Sequence, residues 1–149
     1  MISSARNILE AFLEAAHVAP NQVAIELDEQ TWTYGELLMN IIYVARQLPI
    51  KTGQIVYQYV ERSLEMVCGL LGIMYADGVY CPLSLTDPPT YVQTLIDEIQ
   101  GGFVLVHGST RDKFLSITSK PIQMIDLGHI FVADDIEDVT EKGNGLFSE

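Results

Sequence analysis

The stretch Gly53–Leu85, GQIVYQYVERSLEMVCGLLGIMYADGVYCPLSL, decides the fold. Its first part, Ile55–Val60, is a run of β-branched and aromatic residues, which predicts a largely buried strand. Ser63 is a residue type that caps helices, so a helix is predicted to follow. Val79–Leu83 predicts a second strand, which Pro82 places at its own end or at a sheet edge. A strand, a helix and a strand joined by short turns predict a βαβ unit with parallel strands.

The helix between these strands is predicted to run to about Ala76, where an Asp-Gly pair ends it. Two glycines, Gly69 and Gly72, lie within it, although glycine costs about 1 kcal/mol in a helix interior. We therefore expect a close neighbour, with packing of the helix on the sheet as the expected cause and an approaching cofactor as the alternative. The residues predicted to face the core are Val67, Leu70, Leu71 and Met74.

A second helix is predicted from the sequence TYGE at residues 33–36, which matches a capping box. The Thr33 hydroxyl accepts a hydrogen bond from a free backbone N–H, and the Glu36 carboxylate accepts one from the N–H of Thr33. Pro49 ends the helix. Its apolar residues at helical spacing are Leu37, Ile41, Val44, Ala45 and Leu48.

The remaining elements continue this alternation of helices and strands along the chain. Before the second helix, we predict a first helix with Ile8, Leu9, Phe12, Leu13 and Ala16 on one face, and a hairpin of Val23–Leu27 and Thr31–Thr33. After the βαβ unit, a helix is predicted from Pro88 to about Ile99, closed by Gly101 and Gly102. The elements that follow are a strand Phe103–Val106, a short helix Thr110–Leu115 and an extended segment Pro121–Leu127. The alternation predicts an α/β fold with a mostly parallel sheet covered by helices.

The length and the charge distribution predict one domain followed by a tail. A chain of 149 residues has the size of a single domain, and we assign residues 1–133 to it. Residues 134–149 contain six acids and one lysine, so they are predicted to be an acidic, flexible tail or linker.

The whole chain has 20 acidic and 8 basic residues and a net charge of −12. This charge argues against nucleic acid or an anionic membrane as a partner, because phosphate groups would repel the chain. Cys68 and Cys81 lie in apolar surroundings without a C-x-x-C motif, and we expect two buried thiols in a reducing compartment. Glu10 and Glu14 interrupt the apolar residues near the start, so no signal peptide is expected and the predicted location is cytoplasmic.

Sequence motifs for catalysis or ligand binding do not emerge from the residues themselves. The chain contains neither a G-x-x-x-x-G-K-[ST] loop nor a G-x-G-x-x-G motif after a strand. The histidines, His17, His107 and His129, lack a second metal ligand at zinc-site spacing, although His107 follows a buried strand and is a candidate for a pocket mouth. The adjacent carboxylates Asp97-Glu98 and Asp134-Asp135 are more simply explained as solvated surface. We assign no catalytic, cofactor-binding or metal-ligating residue.

Two stretches carry a family resemblance, namely residues 31–48, TWTYGELLMNIIYVARQL, and residues 53–89. The first contains Thr-Tyr, a variable residue and Glu-Leu at residues 33–37, and the second contains Gly69–Ile73 and a Tyr-x-Pro-Leu segment. In this order and spacing they resemble the N-terminal region of adenylate-forming enzymes. Within that superfamily they are most similar to the amino-acid-activating adenylation domains of nonribosomal peptide synthetases, over about residues 8–107.

The chain departs from the family pattern at three places. Residues 76–78 read Ala-Asp-Gly where the family usually has Ala-Gly-Gly, and residues 82–85 read Pro-Leu-Ser-Leu where it has Pro-Leu-Asp-Pro. Thr90-Tyr91-Val92 replaces a segment that commonly carries an arginine. These residues support the sheet and its turns, so the resemblance leaves their local geometry open.

The resemblance implies a function for the parent domain. Family members bind ATP and Mg²⁺, form an acyl-adenylate with release of pyrophosphate, and transfer the acyl group to a carrier thiol. Their phosphate-binding loop and catalytic lysine lie downstream of the region matched here. We therefore expect an N-terminal fragment that is inactive alone, binds no cofactor alone, and has the rest of the domain or a carrier protein as partner. The alternatives are a stand-alone interaction or regulatory module derived from this fold and an unrelated small α/β ligand-binding domain.

Overall fold

The computed structural model describes the backbone of residues 2–129 and the side chains of residues 8–128. In chain order the elements are α1 (Ile2–Val18), β1 (Val23–Leu27), β2 (Gln30–Thr33), α2 (Tyr34–Arg46), β3 (Ile55–Tyr59), α3 (Leu64–Tyr75), β4 (Val79–Pro82), α4 (Pro89–Ile99), β5 (Phe103–Val106), α5 (Gly108–Ile117), β6 (Gln123–Asp126) and a 3₁₀ turn (Leu127–His129). The predicted acidic tail, residues 134–149, lies outside the described residues, so its assignment stays a prediction.

The parallel sheet predicted from the βαβ unit is confirmed. Within residues 2–129 its strands lie in the order β4-β3-β5-β6, and every neighbouring pair is parallel. In β3, Tyr57 pairs with Cys81 of β4 on one side and with Val104 of β5 on the other. Pro82 is the last residue of β4, which is an edge strand as predicted.

Helices cover both faces of this sheet, because successive strand residues point to opposite sides. Val56 of β3 packs in a cluster with α2 and α3, whereas its neighbour Tyr57 packs in a second cluster with α4 and α5. The hairpin of β1 and β2 is antiparallel, as predicted, and forms a separate two-stranded sheet. Within the described residues, one apolar cluster thus lies on each side of the parallel sheet, and a third joins α1 to α2.

The capping box at the start of α2 is confirmed. The Thr33 N–H donates to Glu36 Oε1 at 2.9 Å, and the Glu36 N–H donates to Thr33 Oγ1 at 3.1 Å. Two otherwise unsatisfied backbone groups are therefore paired at the helix start.

Of the four residues predicted to face the core from α3, only Leu71 is buried. The other three, Val67, Leu70 and Met74, are half-buried. Val67 and Met74 nevertheless pack against the core that contains Leu71, so the predicted face is confirmed for three of its four residues. The closest contacts are made at both glycines: a Cβ at Gly72 would lie 2.8 Å from Cβ of Val44 in α2, and one at Gly69 would overlap the Gln58 amide in β3. Packing on the sheet, the expected cause, is confirmed for Gly69.

The C-terminal end of α4 also differs from the prediction. The helix ends at Ile99 as expected, but the left-handed residue that ends it is Gln100, with φ 62°, and not a glycine. The backbone N–H of Gly101 instead donates to Tyr57 Oη at 2.7 Å. This hydrogen bond to Tyr57, a core residue of the sheet, therefore fixes the direction in which the chain leaves α4.

Candidate functional site

The order of the parallel strands identifies one crevice as the place to look for a site. From β3 the chain passes through α3 to β4 on one side, and from β4 it returns through α4 to β5 on the other side. The connections after β3 and β5 therefore leave toward opposite faces of the sheet. In open α/β sheets, ligands bind outside the carboxyl ends of the strands at such a switch point. The candidate site consists of the turns after Tyr59 and after Val106.

The turn after β5 is held to the end of β3 by Thr110. The Thr110 hydroxyl accepts a hydrogen bond from the His107 N–H at 3.0 Å and donates one to the Tyr59 carbonyl at 2.6 Å. His107 occupies the N-cap position of α5 and is half-buried. Its predicted place after a buried strand is confirmed, while its place at a pocket mouth stays a prediction.

Asp126, the last residue of β6, lies close to the start of α5. Its Oδ1 accepts a hydrogen bond from the Gly128 N–H at 2.8 Å, and a Cβ at Gly108 would lie 3.8 Å from its Oδ2. The carboxylate thus occupies a position near the helix N-terminus, where the helix dipole favours negative charge. An anionic ligand at this end of α5 would have to compete with Asp126.

The turn after β3 forms the other wall of the crevice. Ser63 Oγ donates to the Glu61 carbonyl at 2.9 Å and accepts from the Met66 N–H at 3.2 Å, so it caps α3 as predicted. Arg62, between Glu61 and Ser63 in the chain, is exposed. The crevice therefore carries one cation, Arg62, and the carboxylates of Glu61 and Asp126. Because charges of both signs are present, the crevice is not selective for either an anionic or a cationic ligand.

Two tyrosines of the sheet, Tyr57 and Tyr80, have hydrogen-bond partners, whereas the buried hydroxyl of Tyr59 has none among the described residues. Tyr57 Oη donates to the Ile96 carbonyl at 3.2 Å, and burial raises the pKa of this phenol. The Gln58 amide donates to Tyr80 Oη at 3.0 Å and to the Met66 carbonyl at 3.1 Å. Burial likewise raises the pKa of Tyr80. Both phenols are therefore protonated at neutral pH. Tyr57 holds α4 to the sheet, and Gln58, which also bonds Tyr80, holds α3 to it.

The two thiols are poor nucleophiles in this fold. Burial raises the pKa of Cys68 and of Cys81, and the reactive form of cysteine is the thiolate. The prediction of burial is confirmed for Cys68, whereas Cys81 is only half-buried because β4 is an edge strand.

The other residues considered for chemistry lie on separate elements. His17 is exposed at the end of α1, and His129 ends the 3₁₀ turn with its side chain outside the described set. Asp97 pairs with Lys120 Nζ at 3.3 Å, while residues 134 and 135 are outside the described range. Neither Asp126 nor Thr110 was a candidate from sequence, and the only signal for Asp126 was its place near the end of the predicted extended segment Pro121–Leu127.

A shallow depression lies elsewhere, between the C-terminal ends of α2 and α3. Its volume is about 370 Å³, and it is lined by Ile42, Ala45, Arg46, Leu48, Tyr75 and Ala76. Among the residues with described side chains, three or more His, Cys, Asp or Glu do not gather as metal ligands. Within the same part of the chain, every helix is too short or too polar to cross a membrane.

Comparison with known proteins gives a consistent family. The model of the AMP-binding enzyme family matches residues 12–143. The chain is 33% identical over 128 residues to malpinin synthetase of Mortierella alpina, covering 84% of this chain and 2% of that protein. It is 34% identical over 124 residues to a mycosubtilin synthase of Bacillus subtilis, covering 81% of this chain and 5% of that protein. It therefore spans only a few per cent of the length of these relatives.

The fold is also found among solved structures. The nonribosomal peptide synthetase FmoA3 in its AMPPNP-bound form superposes with a TM-score of 0.75 at 22% identity. The match covers 84% of this chain and 14% of the FmoA3 chain. At this identity the likeness concerns the fold, which is the α/β architecture described above.

Proposed function

The chain belongs to the AMP-binding enzyme family, and from this premise we propose that it forms the N-terminal part of an amino-acid-activating adenylation domain of nonribosomal peptide synthetase type. The observation that carries the proposal is the family match over residues 12–143, which includes every strand of the parallel sheet. Two relatives with synthetase or synthase names at 33% and 34% identity support it. A cytoplasmic location is part of the proposal, because activation consumes ATP and the two cysteines are free thiols.

The proposed reaction places a substrate carboxylate next to a polyphosphate. The repulsion between these anions must be offset by cations, by Mg²⁺ and by preorganised N–H donors. The switch point of the described sheet does not fit a polyphosphate, since the start of α5 faces the Asp126 carboxylate, which would repel it. We therefore propose that the rest of the adenylation domain binds ATP and Mg²⁺ and carries out catalysis, and that this chain is inactive alone.

The contribution of this chain is structural in the proposal. The sheet and the helices that cover it, α2 to α5, form a rigid support. The carboxyl edge of the sheet is held in place by the hydrogen bonds of Thr110 and by the starts of α3 and α5, whose N-cap residues are Ser63 and His107. The partners expected for the complete protein are the remaining part of the domain and a carrier protein that accepts the acyl group.

The proposal is tested on the native polypeptide and on residues 1–149 side by side. An antibody raised to residues 20–43 should detect a polypeptide much heavier than 16.6 kDa in the source cells. After isolation, that polypeptide should catalyse amino-acid-dependent exchange of pyrophosphate into ATP, while residues 1–149 alone should not. Exchange by the purified 149-residue chain would contradict its assignment as an inactive part. A heavy polypeptide without exchange for any amino acid would contradict the assignment as an amino-acid-activating domain.

A stand-alone interaction module is the second candidate, and one observation favours it. Both faces of the sheet are already covered, and the core residues on each side are fully buried within the described chain. Such a unit should fold cooperatively and remain monodisperse alone. A native polypeptide of 16.6 kDa would favour this second candidate.

A further inference from the structure

Tyr59, the last residue of β3, carries a hydroxyl for which the fold provides no partner. Its side chain is fully buried on the side of the sheet covered by α4 and α5, and its Oη has no hydrogen-bond partner among the described residues. Tyr57, two residues earlier on the same face, is equally buried, but its hydroxyl bonds both the Ile96 carbonyl and the Gly101 N–H. Most buried hydroxyls in proteins are paired, and an unpaired one carries its full desolvation cost. The burial of Tyr59 is therefore costly in a way that the burial of Tyr57 is not.

The cover over Tyr59 includes a lysine and the chain after β4. Lys113 of α5 places its Nζ over the Tyr59 ring, 6.0 Å from the ring centre, and the same Nζ donates to the Leu85 carbonyl at 3.0 Å. Leu85 is half-buried and packs against the cluster that contains Tyr59. The link between α5 and the chain after β4 therefore passes over the ring.

The chain after β4 forms a small unit with its own hydrogen bonds, Ser84–Asp87, which we call the 84–87 turn. Ser84 Oγ lies 2.8 Å from Thr86 Oγ1 and accepts from the Thr86 N–H at 3.2 Å. The Asp87 N–H donates to the Ser84 carbonyl at 3.3 Å. Within residues 2–129, the bond from Lys113 is the only hydrogen bond that joins the 84–87 turn to another element.

Both ends of the 84–87 turn are anchored. Before it, Leu83 is buried and its N–H donates to the Gln58 carbonyl of β3 at 2.9 Å. After it, Pro88 is the N-cap residue of α4 and Pro89 is the first residue of that helix, and the two rings restrict the backbone. A segment with fixed ends, internal bonds and one outside bond has the properties of a unit that opens locally.

We propose that the 84–87 turn is a lid, held shut by Lys113, which opens locally and admits water to the Tyr59 hydroxyl while the parallel sheet stays intact. The bond that closes the lid is a single exposed one, and the long lysine side chain loses conformational freedom to make it. Opening lets the buried hydroxyl bond to water and removes its desolvation cost. Because Tyr59 precedes the turn that forms one wall of the candidate site, the open lid uncovers a hydrogen-bonding group beside that site.

The experiment measures how fast the hydroxyl protons of Tyr57 and Tyr59 exchange with solvent, by NMR of the 149-residue protein with carbon-13 at the ring carbon that bears each hydroxyl. We expect the Tyr59 proton to exchange at least about tenfold faster than the Tyr57 proton, because opening the lid requires less free energy than releasing α4. Lys113→Met removes the Nζ donor and keeps a long side chain, so it should speed exchange at Tyr59 by about threefold and leave Tyr57 unchanged. Lys120→Met is the matched control, because the exposed pair of Lys120 with Asp97 does not involve the 84–87 turn. A Tyr59 rate that is no faster than the Tyr57 rate, or that Lys113→Met leaves unchanged, would overturn the lid.

Urea unfolding of two tyrosine variants tests whether the hydroxyl has no partner when the lid is closed. Tyr59→Phe should not lower the urea midpoint, because it removes a hydroxyl that makes no bond. Tyr57→Phe is its matched control and should lower the midpoint, because it removes two hydrogen bonds. A clear fall in the midpoint of Tyr59→Phe would show that an internal water already bonds the hydroxyl under the closed lid, and the proposal would then be wrong.

Discussion

Replacing Asp77 by glycine should stabilise the fold, and the reason lies in the way α3 ends. The Gly78 N–H donates to the Ile73 carbonyl at 2.9 Å, and the Asp77 N–H donates to the Met74 carbonyl at 3.0 Å. This pair of bonds is the Schellman motif, which requires a left-handed residue after the helix. Asp77 supplies it with φ 64°, although glycine is the usual residue there. The resemblance described above implies glycine at this position, so we expect the aspartate to have a structural cost.

The size of the effect follows from three contributions. A left-handed residue with a Cβ costs about 1 kcal/mol, at the low end of the usual range because aspartate tolerates this conformation. A carboxylate next to a helix C-terminus is unfavourable by about 0.3 kcal/mol. Glycine also increases the entropy of the unfolded chain, which lowers the gain in stability by about 0.5 kcal/mol. Asp77→Gly should therefore raise the free energy of unfolding by about 0.8 kcal/mol, or the melting temperature by about 2–3 °C.

Urea and thermal unfolding of residues 1–149 measure this change. Asp77→Asn serves as the control, because it removes the charge and keeps a side chain that tolerates positive φ. It should give only the charge contribution of about 0.3 kcal/mol. If Asp77→Gly is neutral or destabilising with an unchanged urea m-value, the left-handed strain at this helix end does not exist and the reasoning fails.

Three further predictions use the same unfolding measurements. Thr33→Ala should cost about 1 kcal/mol through loss of the capping box, and a loss of less than a few tenths would contradict that role. Gly69→Ala should cost about 1–2 kcal/mol because its Cβ overlaps a neighbouring amide, whereas Gly102→Ala, with nothing within 4 Å, should be neutral or slightly stabilising. Burial raises the pKa of the Cys68 thiol above the 9.0 of the unfolded chain, so stability should be full below about pH 9 and fall by up to about 1.4 kcal/mol per pH unit above it. A urea midpoint that stays constant from pH 8 to pH 10 would contradict this last prediction.

Local signals in the sequence predicted most of the fold. The strand Phe103–Val106, the hairpin and the capping box at Thr33 depend on residues close together in the chain, and the structure confirms them. The parallel sheet followed from the alternation of helices and strands. What the sequence did not specify is the strand order, because that order depends on which strands pair across long connections.

The candidate site shows the consequence of the missing strand order. His107 could be placed at the end of a buried strand from sequence alone. Thr110 and Asp126 could not be related to it, because their contacts join β5 and α5 to β3 and β6. The site became visible only when the switch point between β3 and β5 was known. Residue 77 is a similar case. The sequence showed that Asp77 departs from the family pattern and left its local geometry open, and only the backbone showed that this aspartate is left-handed.

Helix α3 shows where apolar spacing is an incomplete signal. The spacing selects the stripe with the largest side chains, and Val67, Leu71 and Met74 of that stripe do pack in or against the core. The closest approaches to neighbouring elements are nevertheless made at Gly69 and Gly72, which have no side chain for a hydrophobic pattern to include. Each glycine costs about 1 kcal/mol in a helix interior, so two of them indicate that the helix backbone comes close to a neighbour. The sequence therefore predicts close packing of α3, whereas only the structure shows that Val44 of α2 and Gln58 of β3 are the neighbours.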